Sequence, residues 1–305
     1  FHNWDMLERG YTMHHAISQD KQGNILATVS KTSAKIANGK DVRINDFIIR
    51  MDPEKGEILQ EWDLVHMLDS ARYGMTDYNL TADPYAQNAS NWAHNNGIVE
   101  WGNDYLATAR YQGIFKFNKA GGIEWIISPH GYWRDRYLKL LLNPLHANGT
   151  PITDPDVIAG TKNCDDFEWP WGCHTAVPLP NGHIFYFNNG YGRNFKLDFT
   201  DRKNVYTCGI EYEVDEVNRT VRQVWQYGKE RGTAYFTPAR SGVQYLEQTG
   251  NRLICPGMSN VLSNGNRGAR VTEVDPETQE IVFELELEDA IYQRVYRMSL
   301  YPDNQ

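Results

Sequence analysis

The 305-residue chain carries a formal charge of −9, 12% aromatic residues and a mean hydropathy of −0.60. That length can bury a large core, while the acidic balance excludes nucleic acid, which demands a basic face, and means that any anionic ligand must be held by a local positive cluster working against the overall field. No signal peptide is legible and no apolar run approaches the roughly 18 residues of a membrane helix, so no membrane partner is expected.

The chain opens on Phe1-His2-Asn3-Trp4-Asp5, which reads as the tail of a preceding structural unit. His15 then precedes the turn residues Gly23-Asn24 by eight positions, and the apolar stretch Ile25-Leu26-Ala27 follows, with Ser30 near its end. A second hairpin runs from Phe47-Ile48-Ile49-Arg50-Met51-Asp52 to Trp62. After a long insertion over about 66–91, the pattern returns: His94, the turn Asn103-Asp104, Leu106-Ala107-Thr108, Arg110, then Ile114-Phe115-Lys116-Phe117-Asn118 to Trp125. A second insertion over about 129–172 precedes His174, which stands eight residues before Gly182; Ile184-Phe185-Tyr186, Asn188 and Ile210–Asp215 to Trp225 complete that copy. The fourth copy has Ser241-Gly242 in place of histidine, then Val243–Leu246, the turn Gly250-Asn251, Leu253-Ile254-Cys255, and Val271–Asp275 to Phe283.

Period-two alternation bounded by Gly, Asp and Asn predicts strands joined by hairpins. Four strands per copy, repeated in tandem, predict an all-β protein, a β-propeller of four-stranded blades spanning 1–305 with about four complete blades and one or two N-terminal blades lacking. One large β-sandwich is the alternative, but a sandwich has no need of internal repetition. Both insertions join one blade to the innermost strand of the next, so both are expected to crowd the channel mouth, and loops of that length are usually functional.

A propeller would point His15, His94 and His174 into one channel, with Arg110 beside them. Three imidazoles and a guanidinium suit a tetrahedral anion, since arginine bonds two oxygens in a fork and a neutral imidazole serves as nucleophile or proton acceptor. His14 is the weaker of its pair, because strand alternation points it away from His15. Trp92, Tyr111 and Trp171 are the aromatic residues expected near the mouth. His66, His130, His146 and His183 lie in insertions or turns, with His130 a candidate lid residue. Cys164 and Cys173 bracket a short loop before His174 and suit a local disulfide, with two free thiols as the alternative; Cys208 and Cys255 read as buried thiols. A disulfide would place the protein outside the cytosol. Glycosylation sequons stand at Asn79, Asn88, Asn148 and Asn218.

The segments Tyr11–His15, Trp92-Ala93-His94-Asn95, Ala109-Arg110-Tyr111-Gln112, Glu124–His130, Cys173-His174-Thr175, Asn188–Arg193 and Tyr296–Tyr301 together resemble the bacterial-type, PAPS-independent aryl-sulfate sulfotransferases along nearly the whole chain. The resemblance implies a six-bladed propeller, secreted or periplasmic, with no cofactor, that moves a sulfuryl group from a small aryl sulfate to a phenol through a sulfated histidine. It maps the nucleophile to His174, the sulfate-binding partners to His15, His94 and Arg110, and a disulfide to Cys164 and Cys173. His14, Asn95, Tyr111 and Trp92 are the further candidates for substrate contact. Where that family carries an acidic motif this chain reads Asn188-Asn189-Gly190-Tyr191, and Cys173 replaces the glutamine before the nucleophile. Two rival readings of the same residues are a histidine-bound metal such as Zn²⁺ or Cu²⁺, against which Arg110 argues, and a non-catalytic secreted binding module. A homo-oligomer is compatible with either.

Overall fold

The computed structural model describes residues 4–38, 41–72, 92–259, 265–266 and 268–289; the side chains of 32–38 and 41–45 are not described. Four antiparallel sheets follow one another along the chain as the four blades of a β-propeller. Blade 1 holds β1 (Thr12–Gln19), β2 (Ile25–Asn38), β3 (Asp41–Met51) and β4 (Ile58–Asp63). Blade 2 holds β5 (Asn95–Trp101), β6 (Asp104–Ala109), β7 (Gly113–Phe117) and β8 (Ile123–Ile127). Blade 3 adds β9 (Asn143–Leu145) to β10 (His174–Pro178), β11 (Ile184–Asn188), β12 (Cys208–Asp215) and β13 (Thr220–Tyr227). Blade 4 is β14 (Ser241–Tyr245), β15 (Arg252–Pro256), β16 (Gly268–Val274) and β17 (Ile281–Glu288). The innermost strands pack in series, β1 on β5, β5 on β10 and β10 on β14.

The core lies between blades. Leu26, Ile48 and Trp62 of blade 1 meet Ile98, Tyr105, Phe115 and Phe117 of blade 2. Leu106, Ile114 and Trp125 of blade 2 meet Ile184, Tyr186, Ile210 and Tyr212 of blade 3. Phe185, Phe187 and Tyr227 of blade 3 meet Val243 and Ile254 of blade 4. A second strand clasped by neighbours on both faces has no solvent side, and β11 is accordingly buried along its whole length, the pattern of a strand covered on both faces and not of a half-buried one. The outer-strand tryptophans close each junction. Trp62 Nε1 donates to Lys119 O (3.0 Å), Trp125 Nε1 to Glu216 Oε1 (2.8 Å) and Trp225 Nε1 to Pro276 O (3.0 Å), each acceptor lying in the outer hairpin turn of the next blade.

The second insertion departs from expectation. It folds into α2 (Asp135–Leu138), β9 and α3 (Pro155–Ala159), preceded in the chain by α1 (Leu64–Met67). β9 pairs in parallel with β13, so it extends the outer edge of blade 3 instead of crowding the channel mouth. Only its last stretch turns inward, driven by burial of Phe167, Trp169 and Trp171. The first insertion from residue 73, the sequons at Asn79 and Asn88, the opening Phe1-His2-Asn3 and the closing motif Tyr296–Tyr301 lie outside the described residues.

Candidate functional site

The histidines converge, two of them in a shared register. Counted from equivalent ladder pairs (Ile17 with Ala27, Ile98 with Ala107, Ala176 with Tyr186), His15 and His174 each stand two residues upstream and His94 four. The hairpin turn of blade 2 is shorter than those of blades 1 and 3, so spacing from the turn hid the offset of His94. The difference is absorbed where the register shifts at the head of each inner strand. The backbone there turns left-handed, at His15 (φ 53°), His94 (φ 53°) and Thr175 (φ 43°), and Arg240 at the head of β14 is left-handed too (φ 61°). Such geometry costs roughly 1–2 kcal/mol per non-glycine residue and serves to re-aim side chains.

The result is a packed cluster. His15 Nε2 lies 3.0 Å from His94 Nε2, and the ring centroids of His15 and His174 are 6.4 Å apart. His14 joins them against the alternation argument: its Nδ1 is 3.0 Å from His15 Nδ1, because the left-handed turn at His15 breaks the alternation of β1. On its other side His14 Nε2 sits 3.6 Å from Asp46 Oδ1. Asp46 is buried at 4% exposure, accepts hydrogen bonds from Ser30 Oγ (2.9 Å) and from Asn95 N (3.0 Å), and completes a row running Asp46, His14, His15, His94.

His174 is buried, and its Nδ1 is bonded to Asn189 Oδ1 at 2.6 Å and faces Gly172 O at 3.2 Å. The amide orientation of Asn189 is fixed by its other end, which donates to Thr237 O (2.8 Å) and Ser241 Oγ (3.1 Å). With two oxygens facing Nδ1, that nitrogen carries the proton and Nε2 keeps its lone pair. Burial first, then the Arg110 and His15 charges, pull His174 down to about 3 despite the bonds to Asn189 and Gly172. His15 keeps an exposed side toward the channel, yet the protein crowded around it and the His14 charge bring it down to about 4, with Asp46 opposing and Arg110 and Arg240 adding. His94 falls well below the ordinary range, first by burial and then by the charges of His15, Arg110 and His174. All three rings are therefore neutral at pH 7.

Arg110 is buried with its Nη2 donating to Pro238 O (2.7 Å) and its guanidinium 4.6 Å from the Tyr191 ring centroid. Gly172 makes room for it. At φ +62° a Cβ there would fall 3.0 Å from Tyr191 Cβ and 3.7 Å from Arg110 Cζ. Tyr111 stands beside His94 with ring centroids 6.0 Å apart. Trp92 and Asn95 are wholly buried, and Trp171 nearly so. Trp92 belongs to the core between blades 1 and 2, and Trp171 and Tyr111 to the core between blades 2 and 3, so none of the three lies open at the mouth as the sequence suggested.

The expected Cys164–Cys173 disulfide is absent, and all four cysteines are free thiols. Between the two, Phe167, Trp169 and Trp171 draw the chain into the core, where Cys173 is buried and pushed up to about 12 by that burial. Cys164 is left half-buried at the other end, bonded to Asp166 Oδ1 (3.1 Å). His130 is no lid: its Nε2 is 3.0 Å from Leu142 O and its ring packs 5.7 Å from that of Trp169.

Three groups that bear on the histidines escaped the sequence reading. Asp46 lies on β3, outside the repeated segment. Arg240 precedes the Ser241-Gly242 that seemed to mark an empty fourth position, although a cation at that place was the available signal. Asn189 looked like the loss of an acidic motif, not the anchor of His174.

The chain spans about half the length of the curated relatives it matches. It is 28% identical to the arylsulfate sulfotransferase of Escherichia coli O6:H1 over 330 residues, covering 98% of this chain and 54% of that protein. Identity to the arylsulfate sulfotransferase of Lelliottia amnigena is also 28%, with the same coverage. The solved Dos1 propeller aligns over 92% of this chain and 63% of its own at 8% identity and a TM-score of 0.38, a likeness that carries no argument. The family model for arylsulfotransferase (ASST) matches residues 1–297, and on that match the chain belongs to the arylsulfotransferase family.

Proposed function

We propose that this protein carries a sulfuryl group from a small aryl sulfate to a phenol in two steps, with His174 as the carrier. The observation behind this reading is the bond between His174 Nδ1 and Asn189 Oδ1 (2.6 Å), which holds the proton on Nδ1 and leaves Nε2 as a neutral nucleophile in a positively lined channel. In the first step the Nε2 lone pair bonds to sulfur as the aryl O–S bond breaks, and its electron pair departs with the phenolate. Arg110 and the His94 and His15 rings would bond the sulfuryl oxygens and the leaving oxygen, where charge grows, with the Arg240 charge close enough to act on His15. Asn189 is no base, so the Nδ1 proton stays and the sulfated ring remains an imidazolium, a good leaving group. In the second step a phenol loses its proton to the row of imidazoles ending at Asp46, its oxygen bonds to sulfur, and the N–S electron pair returns to Nε2.

Steady-state kinetics on the full-length protein test the two-step character. Varying donor and acceptor together should give parallel double-reciprocal lines. Intersecting lines would mean that both substrates bind before any transfer and would contradict a carrier.

A further inference from the structure

The second insertion contains a donor set that the channel chemistry does not use. Among the described residues, the one grouping of three His, Cys, Asp or Glu ligand atoms lying within 4.8 Å of one another is His146, Cys164 and Asp166. The channel histidines are not such a grouping. Asp166 Oδ1 is 2.9 Å from His146 Nδ1 and accepts from Cys164 Sγ at 3.1 Å. Its other oxygen accepts from Ala147 N at 2.9 Å, which fixes the carboxylate plane. We propose that His146 Nδ1, Cys164 Sγ and Asp166 bind one Zn²⁺ or a similar borderline-soft divalent ion.

The donors are a nitrogen, a sulfur and an oxygen, the mixture that zinc accepts, and zinc bonds of about 2.0–2.3 Å at tetrahedral angles put ligand atoms about 3.3–3.6 Å apart. Two of the three separations, 2.9 and 3.1 Å, are already close to that spacing, drawn in by the protons that an ion would replace, and the third pair lies within 4.8 Å. Hydrogen bonds from His146, Ala147 and Cys164 bring Asp166 down to about 2 against its burial penalty, so the carboxylate is charged whenever an ion arrives. Partial burial raises the Cys164 thiol, which is thus held protonated in the absence of an ion. On binding, Cys164 gives its proton to solvent, while the His146 proton moves from Nδ1 to Nε2. One proton therefore leaves per ion bound. The three residues are half-buried, so a fourth position is open to water.

Position gives the ion a structural role. His146 directly follows β9 and turns back through a bond from its N to Thr150 O (2.8 Å). Cys164 and Asp166 begin the segment that runs through Phe167, Trp169 and Trp171 to His174. An ion would staple the added outer strand of blade 3 to the chain that delivers the nucleophile.

Titration of the reduced protein with Co²⁺ and Zn²⁺ at pH 8 tests this without recourse to activity. The expected result is one ion per chain, a thiolate-to-cobalt absorption band in the near ultraviolet, and one proton released per ion by calorimetry in buffers of different ionisation enthalpy. Cys164→Ser should abolish the band and weaken binding by more than the roughly 10- to 100-fold that loss of an outer-shell partner costs. His146→Gln should weaken it comparably. Burial holds the Cys173 and Cys208 thiols up to about 12 and leaves them poor competitors. A folded wild-type protein that shows no thiolate band, or a band that survives in both variants, would overturn the assignment.

Discussion

In the proposed reaction His174 offers a neutral ring at neutral pH because burial lowers its basicity, while Asn189 decides which nitrogen stays bare. With the ring at about 3 and His15 at about 4, release of phenol from an activated aryl sulfate should show no acid limb near 6.5. The burst rate should stay level from pH 8 down to about 5, and a limb at 6.5 in stopped-flow traces would argue against a buried neutral carrier. Asn189→Asp places a carboxylate against Nδ1, favours the imidazolium, and should move the acid limb of that same burst upward. Asn189→Leu removes the anchor and should slow the burst by about 100-fold, the scale at which misorientation acts. The histidines themselves were legible because each stands before a copy of the same hairpin. Asn189 was not, since one amide in a turn gives no sign of which side chain it faces.

Among the elements, the bulged heads of the inner strands do the gathering. Alternation along β1 predicts that His14 and His15 part company, and a single left-handed residue reverses that. No sequence pattern announces such a residue when it is histidine and not glycine. The disulfide was misjudged for a related reason: spacing suggested a short closed loop, whereas three aromatic side chains between the cysteines carry the chain inward and part the thiols. Gly172→Ala should preserve the fold at a cost of about 1–2 kcal/mol in chemical denaturation. Because the new methyl group meets Tyr191, which backs Arg110, transfer should fall by about 100-fold. Asp46→Asn removes the charge behind His14 and keeps one acceptor oxygen, which can stay on Asn95 N while the Ser30 hydroxyl turns to accept from the new amide. The burst should be unchanged and transfer to the acceptor slowed by at least about 100-fold; equal loss in both half-reactions would mean that Asp46 only braces β3.

At the scale of the molecule, an acidic protein sets two arginines, Arg110 and Arg240, at the inner ends of its blades, and the blades are joined by aromatic cores that the repeated hairpins made legible. Burying neutral histidines there has a thermodynamic consequence. Their native values lie below the ordinary 6.5, so between about pH 6.5 and 4 the unfolded chain binds protons that the native one refuses, and stability falls as pH falls through that window. Wild-type melting temperature should therefore drop from pH 6.5 to 4.5, before most carboxylates titrate, and His94→Gln should flatten the slope; identical slopes would contradict the burial argument. The measurement nearest the central claim is the site of the covalent adduct. Full-length protein mixed with an activated aryl sulfate and no acceptor, quenched at alkaline pH and mapped by peptide mass, should carry one sulfuryl group on His174, and His174→Asn should carry none. A sulfuryl group on any other residue, or full turnover by His174→Asn, would contradict the account.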